Sequence, residues 1–322
     1  MPSAVRISLA TKLRWFDLGA AALSREFPKA PDLLGPETPP LYACPECAEL
    51  ESTNLYSVRL FSRAAVQNGA LTAEHVPPKS FGGRQLVLTC KPCNNLAGSQ
   101  LDAHARWREN PIDMLRGATE HARVQVTLGR CRVSAILKKR DDIPEIVLPP
   151  DSKNANNPIE VKAFRAALAS GNVKSSDITI TFSNDRHSPR RARVTWLRHA
   201  YLALFAVGGY HYIFQPGLAI VRKQIKEPDV EHIPRFLGVL PGEHLWSERR
   251  IISISEPEWL QSLAVQIGRY VAYLPKPGDA DFYVRLAEER IVRQRKFTGE
   301  AIGWPIEPRF GIDPGVKQCE NG

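Results

Sequence analysis

No long apolar run occurs in this 322-residue chain. Its most hydrophobic stretch, Ala200–Val207, lies within Trp196–Phe214, where Arg198, His199 and the Gly208–Gly209 pair interrupt it. A helix that spans a bilayer needs roughly 20 apolar residues in a row, so no membrane span is expected, and a buried amphipathic helix is. A secretory pattern is missing too: Met1 to Lys12 hold a short apolar segment without a cleavage motif. The expected compartment is therefore a reducing cytoplasm, where six cysteines are not expected to build a disulfide framework. Acidic residues are outnumbered, 34 Asp and Glu against 43 Lys and Arg, for a formal charge of +9 and a pI near 9.3. That excess favours a polyanionic partner, but it is spread along the chain and marks no surface by itself.

What the chain does contain is a cysteine-bearing segment between two stretches of ordinary globular pattern. An amphipathic helix is expected at Lys12–Phe27, followed by a proline-rich linker over Gly35–Pro40. Beyond Pro111, Ala122–Leu128 and Arg130–Leu137 alternate apolar and polar residues around Gly129, which predicts a β-hairpin. Glu145–Leu148 and Asp177–Phe182 read as further strands, Ile159–Ala169 as a helix, and Val194–Val207 as the central helix of the second half. Ile251–Ile254, Leu263–Leu274 and Phe282–Leu286 read as strand-like or mixed. The expected organisation is a helical arm and linker (1–40), a cysteine-bearing domain (41–109) and an α+β domain (110–322).

The cysteines carry the sharpest pattern. Cys44-Pro-Glu-Cys47 and Cys90-Lys-Pro-Cys93 are two short knuckles, and each presents two thiolates from one tight turn. Two such pairs complete the tetrahedron that Zn²⁺ prefers, and with four cysteine ligands no position is left open, so the zinc would be structural. Two redox dithiols or free buried cysteines are the alternative. Cys131 and Cys319 have no partner pattern and read as ordinary residues. Between the knuckles runs Leu71-Thr-Ala-Glu-His-Val-Pro-Pro-Lys-Ser-Phe-Gly-Gly83, and Asn94-Asn95-Leu-Ala-Gly-Ser-Gln-Leu-Asp-Ala-His104 follows the second.

From Cys44 to His104 this order of elements resembles the HNH endonuclease family in its zinc-containing branch. The shared pattern is a strand ending in an acid-His pair, a Pro-x-Ser-x-Gly-Gly hairpin, then Leu-x-Leu-x-Cys-x-x-Cys-Asn opening a helix. The resemblance implies a ββα-metal fold, with zinc tying hairpin to helix, and metal-dependent hydrolysis of phosphodiester bonds in DNA. It implies His75 as general base, and Glu74 and Asn94 as ligands of one catalytic Mg²⁺ or Mn²⁺. Glu74 stands where the family usually has aspartate. Gln85 aligns with the middle asparagine and is expected to orient His75, through its side chain or its backbone carbonyl. Asn94 aligns with the last histidine of the name. Val76-Pro77-Pro78 is expected to bend the strand so that Glu74 and His75 converge. Lys79 and Arg84, in the hairpin, are candidate phosphate contacts.

Asp102 lies about two helical turns from Asn94, too far for a metal ligand; it and His104 read as packing or substrate-contacting residues. Arg190-Arg191-Ala-Arg193 reads as a solvated helix start, and the aromatics from Trp196 to Phe214 as core. His187, His211, His232 and His244 share no ligand spacing and are assigned nothing. The second domain would choose the substrate, join two chains as a homodimer or sense a signal, and phage defence is one setting for such a protein. Two other readings stay open: a zinc-knuckle module that binds nucleic acid without cutting it, and a nuclease acting on RNA.

Overall fold

The computed structural model describes residues 7–28, 39–47, 59–117, 119–140, 143–148, 158–182, 187–242, 244–288 and 297–311. Most of the Gly35–Pro40 linker, and Cys319, lie outside them. The chain is mixed α+β and forms two compact units, residues 1–102 with 193–322, and residues 103–192. The domain break expected near residue 109 thus falls inside a helix, and the chain returns to the first unit at residue 193. Among the described residues no helix is long and apolar enough to cross a membrane.

The first unit opens with α1 (Leu9–Glu26), capped by the Ser8 hydroxyl, which accepts the Thr11 N–H at 3.1 Å. Its buried residues Trp15, Phe16, Gly19, Ala20 and Leu23 recur at helical spacing and form one apolar stripe. The stripe meets Tyr42 of the two-residue strand β1 (Tyr42–Ala43), with the Phe16 and Tyr42 rings 5.9 Å apart. Strand β1 pairs with β2 (Leu60–Phe61), and a short helix, α2 (Ala64–Gln67), leads into an antiparallel hairpin of β3 (Leu71–Val76) and β4 (Arg84–Cys90). Helix α3 (Lys91–Ala97) follows directly, with Pro92 in its first turn.

The second unit begins with α4 (Ala103–Leu115). The hairpin expected around Gly129 is present as β5 (His121–Leu128) and β6 (Cys131–Arg140), extended by β7 (Ile143–Val147) on one side. After α5 (Pro158–Ala169), β8 (Ile178–Thr181) adds to the other side, giving the order β7-β6-β5-β8. Alternate residues Ala122, Val124, Val126 and Leu128 face a core that includes Val161 and Phe164 of α5. His104 accepts the Ser188 N–H at 3.0 Å within this unit, which fits a packing role.

Helix α6 (Pro189–Ile213) begins at the basic run and contains the expected central segment; its residues from Arg193 belong to the first unit. Trp196, Tyr201, Phe205, Tyr210 and Tyr212 are all buried, as expected of core. Short α7 (Ala219–Lys226) precedes an antiparallel sheet of β9 (Leu237–Val239), β10 (Arg249–Glu256), β11 (Ser262–Ile267) and β12 (Tyr270–Leu274). Phe282–Leu286 is helical, α8 (Phe282–Glu288), not strand-like, because Phe282, Tyr283 and Leu286 place their buried side chains at helical spacing. Edge strand β13 (Thr298–Ala301) completes the order β13-β10-β11-β12-β9.

Helix α6 kinks at Gly209, whose φ of 63° and ψ of −149° lie in a region essentially reserved for glycine. A Cβ there would stand 2.9 Å from the Phe310 carbonyl oxygen. Gly209→Ala is therefore expected to lower the unfolding free energy by about 2 kcal/mol or more, strain and clash together. Denaturant unfolding checks this, and a change within about 0.5 kcal/mol, the usual size for a neutral surface substitution, would contradict it.

Candidate functional site

The two knuckles meet. The Sγ atoms of Cys44, Cys47, Cys90 and Cys93 all lie within 4.8 Å of one another, a group that could hold a metal ion. Cys47 Sγ is 3.4 Å from Cys90 Sγ and 3.3 Å from Cys93 Sγ, and the Cys90 N–H donates to Cys44 Sγ. Cys44 and Cys47 sit in the turn after β1, Cys90 ends β4, and Cys93 lies in the first turn of α3. Among the described residues this is the one group of three or more His, Cys, Asp or Glu side chains close enough for a shared ion.

Helix α6 fixes the first knuckle from outside. Tyr201 Oη donates to the Pro45 carbonyl at 2.8 Å, and Tyr210 Oη both donates to the Ala43 carbonyl (2.6 Å) and accepts the Ala43 N–H (3.0 Å). Arg198, one turn before Tyr201, donates Nη2 to Glu46 Oε1 at 2.7 Å and Nε to Glu46 Oε2 at 3.0 Å. Tyr42, buried beside them, donates to the Leu88 carbonyl of β4 at 2.8 Å. These are buried polar groups satisfied in pairs, which is the condition for placing them there.

The hairpin carries the acid-His pair at an irregular step. Glu74 pairs with Val87 but His75 with Gln85, so Leu86 bulges out of β4 between them. The irregularity thus falls between Glu74 and His75, before the expected Val76-Pro77-Pro78 bend. The loop that follows is tight: Phe81 and Gly83 both donate backbone N–H groups to the Pro78 carbonyl. A Cβ on Gly83 would overlap the Pro77 carbonyl, which explains the second glycine of the pair. Phe81 anchors the loop, its ring 5.0 Å from Trp196 and 4.6 Å from Trp246.

Glu74 is buried, not exposed at the hairpin surface. It is 4% exposed, and its Oε1 and Oε2 stand 3.4 and 3.3 Å from Arg198 Nη1 and Nη2. Only the first of these contacts has hydrogen-bond geometry, and the buried Oε2 faces Arg198 without a hydrogen bond. Burial pushes the Glu74 carboxyl above its ordinary value against the pull of Arg198 and His199. His199 Nε2 lies 3.0 Å from Asp102 Oδ1, while His199 Nδ1 is buried and unpartnered. Burial favours the neutral acid at Asp102, but its contact with His199 and the nearby Arg198 guanidinium outweigh it and hold the carboxyl low. His75 is half-buried, and burial together with nearby Lys79 lowers it below the usual imidazole value, which favours the neutral ring.

Asn94, in the first turn of α3, donates Nδ2 to Thr72 Oγ1 at 2.8 Å. Thr72 and Glu74 are two residues apart in the regular part of β3 and share a face, so Asn94 stands one strand step from Glu74, with no hydrogen bond to its amide oxygen among the described residues. The side chain of Gln85 does not hold His75. It accepts the Ile7 N–H at 3.0 Å and reaches the Ala73 carbonyl at 3.5 Å, so it ties the N-terminal segment to the hairpin; only its backbone pairs with His75. Lys79 and Arg84 are exposed at the loop, and Arg249 of β10 joins them by donating Nη2 to the Phe81 carbonyl at 2.9 Å. His211, His232 and His244 each pair with a glutamate elsewhere.

No family model matches the chain, and neither a curated protein nor a solved structure does. The site therefore stands on its own geometry. Sequence reasoning missed Glu46, Arg198, His199 and Arg249. For Arg198-His199 the signal was present, since two polar residues inside the most apolar helix must find buried partners.

Metal analysis of the purified protein is expected to give one thiolate-bound ion per chain, and Cys44→Ser is expected to lose it together with cooperative unfolding. An unchanged ion content in Cys44→Ser would contradict the four-sulfur site.

Proposed function

We propose that this protein is an HNH-type nuclease: a structural zinc at Cys44, Cys47, Cys90 and Cys93 staples a ββα unit that cuts DNA phosphodiester bonds. The observation that carries the reading is the convergence of both knuckles on one point, with the acid-His strand and the Asn94 helix start bound to them. Four buried or half-buried sulfurs suit Zn²⁺, which binds thiolates tetrahedrally and leaves no open position. The Glu74 oxygen that lacks a hydrogen bond and the amide oxygen of Asn94 are hard donors, which suit Mg²⁺ or Mn²⁺ completed by water and phosphate oxygens. Such an ion, when bound, stabilises charge on the phosphorane and on the departing oxygen.

The chain's own groups supply the rest. His75, half-exposed and shifted toward its neutral form by burial and by Lys79, accepts a proton from the attacking water. Lys79, Arg84 and Arg249 form a cationic rim at the loop that holds a phosphate backbone in register. The fit with a polyanion agrees with the overall charge of +9. Hydrolysis leaves a 5′ phosphate and a 3′ hydroxyl on this reading.

One observation favours a second reading, a module that grips nucleic acid without cutting: the buried Glu74 already faces a guanidinium. Incubating the protein with supercoiled plasmid and Mg²⁺ or Mn²⁺ separates the two. The nuclease reading predicts metal-dependent nicking or linearisation, reduced about 10²–10⁴-fold by His75→Ala with zinc retained. Tight binding with no metal-dependent cleavage would favour the module and overturn the nuclease reading.

A further inference from the structure

Resting on the nuclease reading, we propose that Arg198 is the positioning residue for Glu74, and that Glu46 of the first knuckle is what fixes Arg198. A guanidinium is a planar fork with two usable edges. In Arg198 the edge formed by Nε and Nη2 is taken by Glu46, at 3.0 and 2.7 Å. The edge formed by Nη1 and Nη2 is turned to Glu74, at 3.4 and 3.3 Å. The first contact is a close two-point pairing and the second is looser, so the guanidinium is anchored on the knuckle and Glu74 is placed against it. The side chain is fully buried, which removes water as an alternative partner.

The arrangement leaves one Glu74 oxygen in contact with positive charge and yet without a hydrogen bond. That oxygen is where a divalent ion would find an open donor. Glu46 sits between the two ligands Cys44 and Cys47, and Pro45 beside it is held by Tyr201 from the next turn of the same helix. The position of the cysteine cluster is thereby passed through Glu46 and Arg198 to Glu74. A lysine at 198 would keep the charge, but a single ammonium cannot serve both carboxylates with the fork's geometry. Second-layer partners of this kind typically change metal affinity by about 10–100-fold when removed.

The test is Mn²⁺ binding, with Mn²⁺ alone as the probe, followed by electron paramagnetic resonance on the full-length zinc-loaded protein. Wild type is expected to bind one Mn²⁺. Glu46→Gln and Arg198→Lys are each expected to raise the Mn²⁺ dissociation constant about tenfold or more, with zinc content and near-ultraviolet circular dichroism unchanged. Tyr201→Phe loses a bond to the same knuckle without touching Glu74, and is expected to lower the melting temperature while leaving Mn²⁺ affinity at the wild-type value. Glu46→Gln decides the matter if Arg198→Lys does not fold. Folded Glu46→Gln protein with wild-type Mn²⁺ affinity overturns the proposal and leaves the nuclease reading standing. Equal weakening in Tyr201→Phe also overturns it, since the effect would then be loose packing. No Mn²⁺ bound to wild type overturns the nuclease reading and this proposal with it.

Discussion

Four sulfur atoms within 4.8 Å of one another join two stretches of chain far apart in sequence: the turn after β1, and the junction where β4 runs into α3. Each piece is too short to bury much apolar surface alone. Asn94 rides on α3 directly, while Glu74 and His75 ride on β3, which joins the cluster through its pairing with β4. An ion at that point would act as a covalent staple does, stabilising the fold by the free energy of its own binding.

The staple is not unsupported. Helix α6 lays Arg198, Tyr201 and Tyr210 along the first knuckle, and Trp196 against the hairpin loop through Phe81. The chain thus uses a segment far away in sequence as the back wall of the candidate site. Burying Arg198 there carries a large desolvation cost, which is tolerable only because Glu46 and Glu74 both face it. The same cost explains why Asp102 and His199 are paired rather than exposed to an apolar surround.

Much of this was legible in the residues. The Cys-x-x-Cys spacing pointed to the cluster, the alternation around Gly129 to the β5–β6 hairpin, and the aromatic run to the core of α6. Local patterns of this kind are read locally. The failures have a common cause in distance along the chain. Gln85 was aligned as the group that orients His75 through its side chain or its backbone; whether the side-chain amide finds an imidazole or the Ile7 backbone depends on where the N-terminal segment lies. Arg198 and His199 were passed over because their partners are far away in sequence; only their polarity inside an apolar helix hinted at them. The composition changes near 109, while the unit boundary after residue 102 and the return of the chain at residue 193 leave no mark in composition.

The proposed nuclease centre stands or falls on one cation position. A crystal soaked in Mn²⁺ and measured at the manganese absorption edge tests it directly. The predicted result is an anomalous peak at about 2.0–2.3 Å from both a Glu74 oxygen and the Asn94 amide oxygen, on the face of β3 that Thr72 and Glu74 share, with a separate zinc at the four sulfurs. Manganese absent from that position, with zinc alone present at the cysteines, would contradict it.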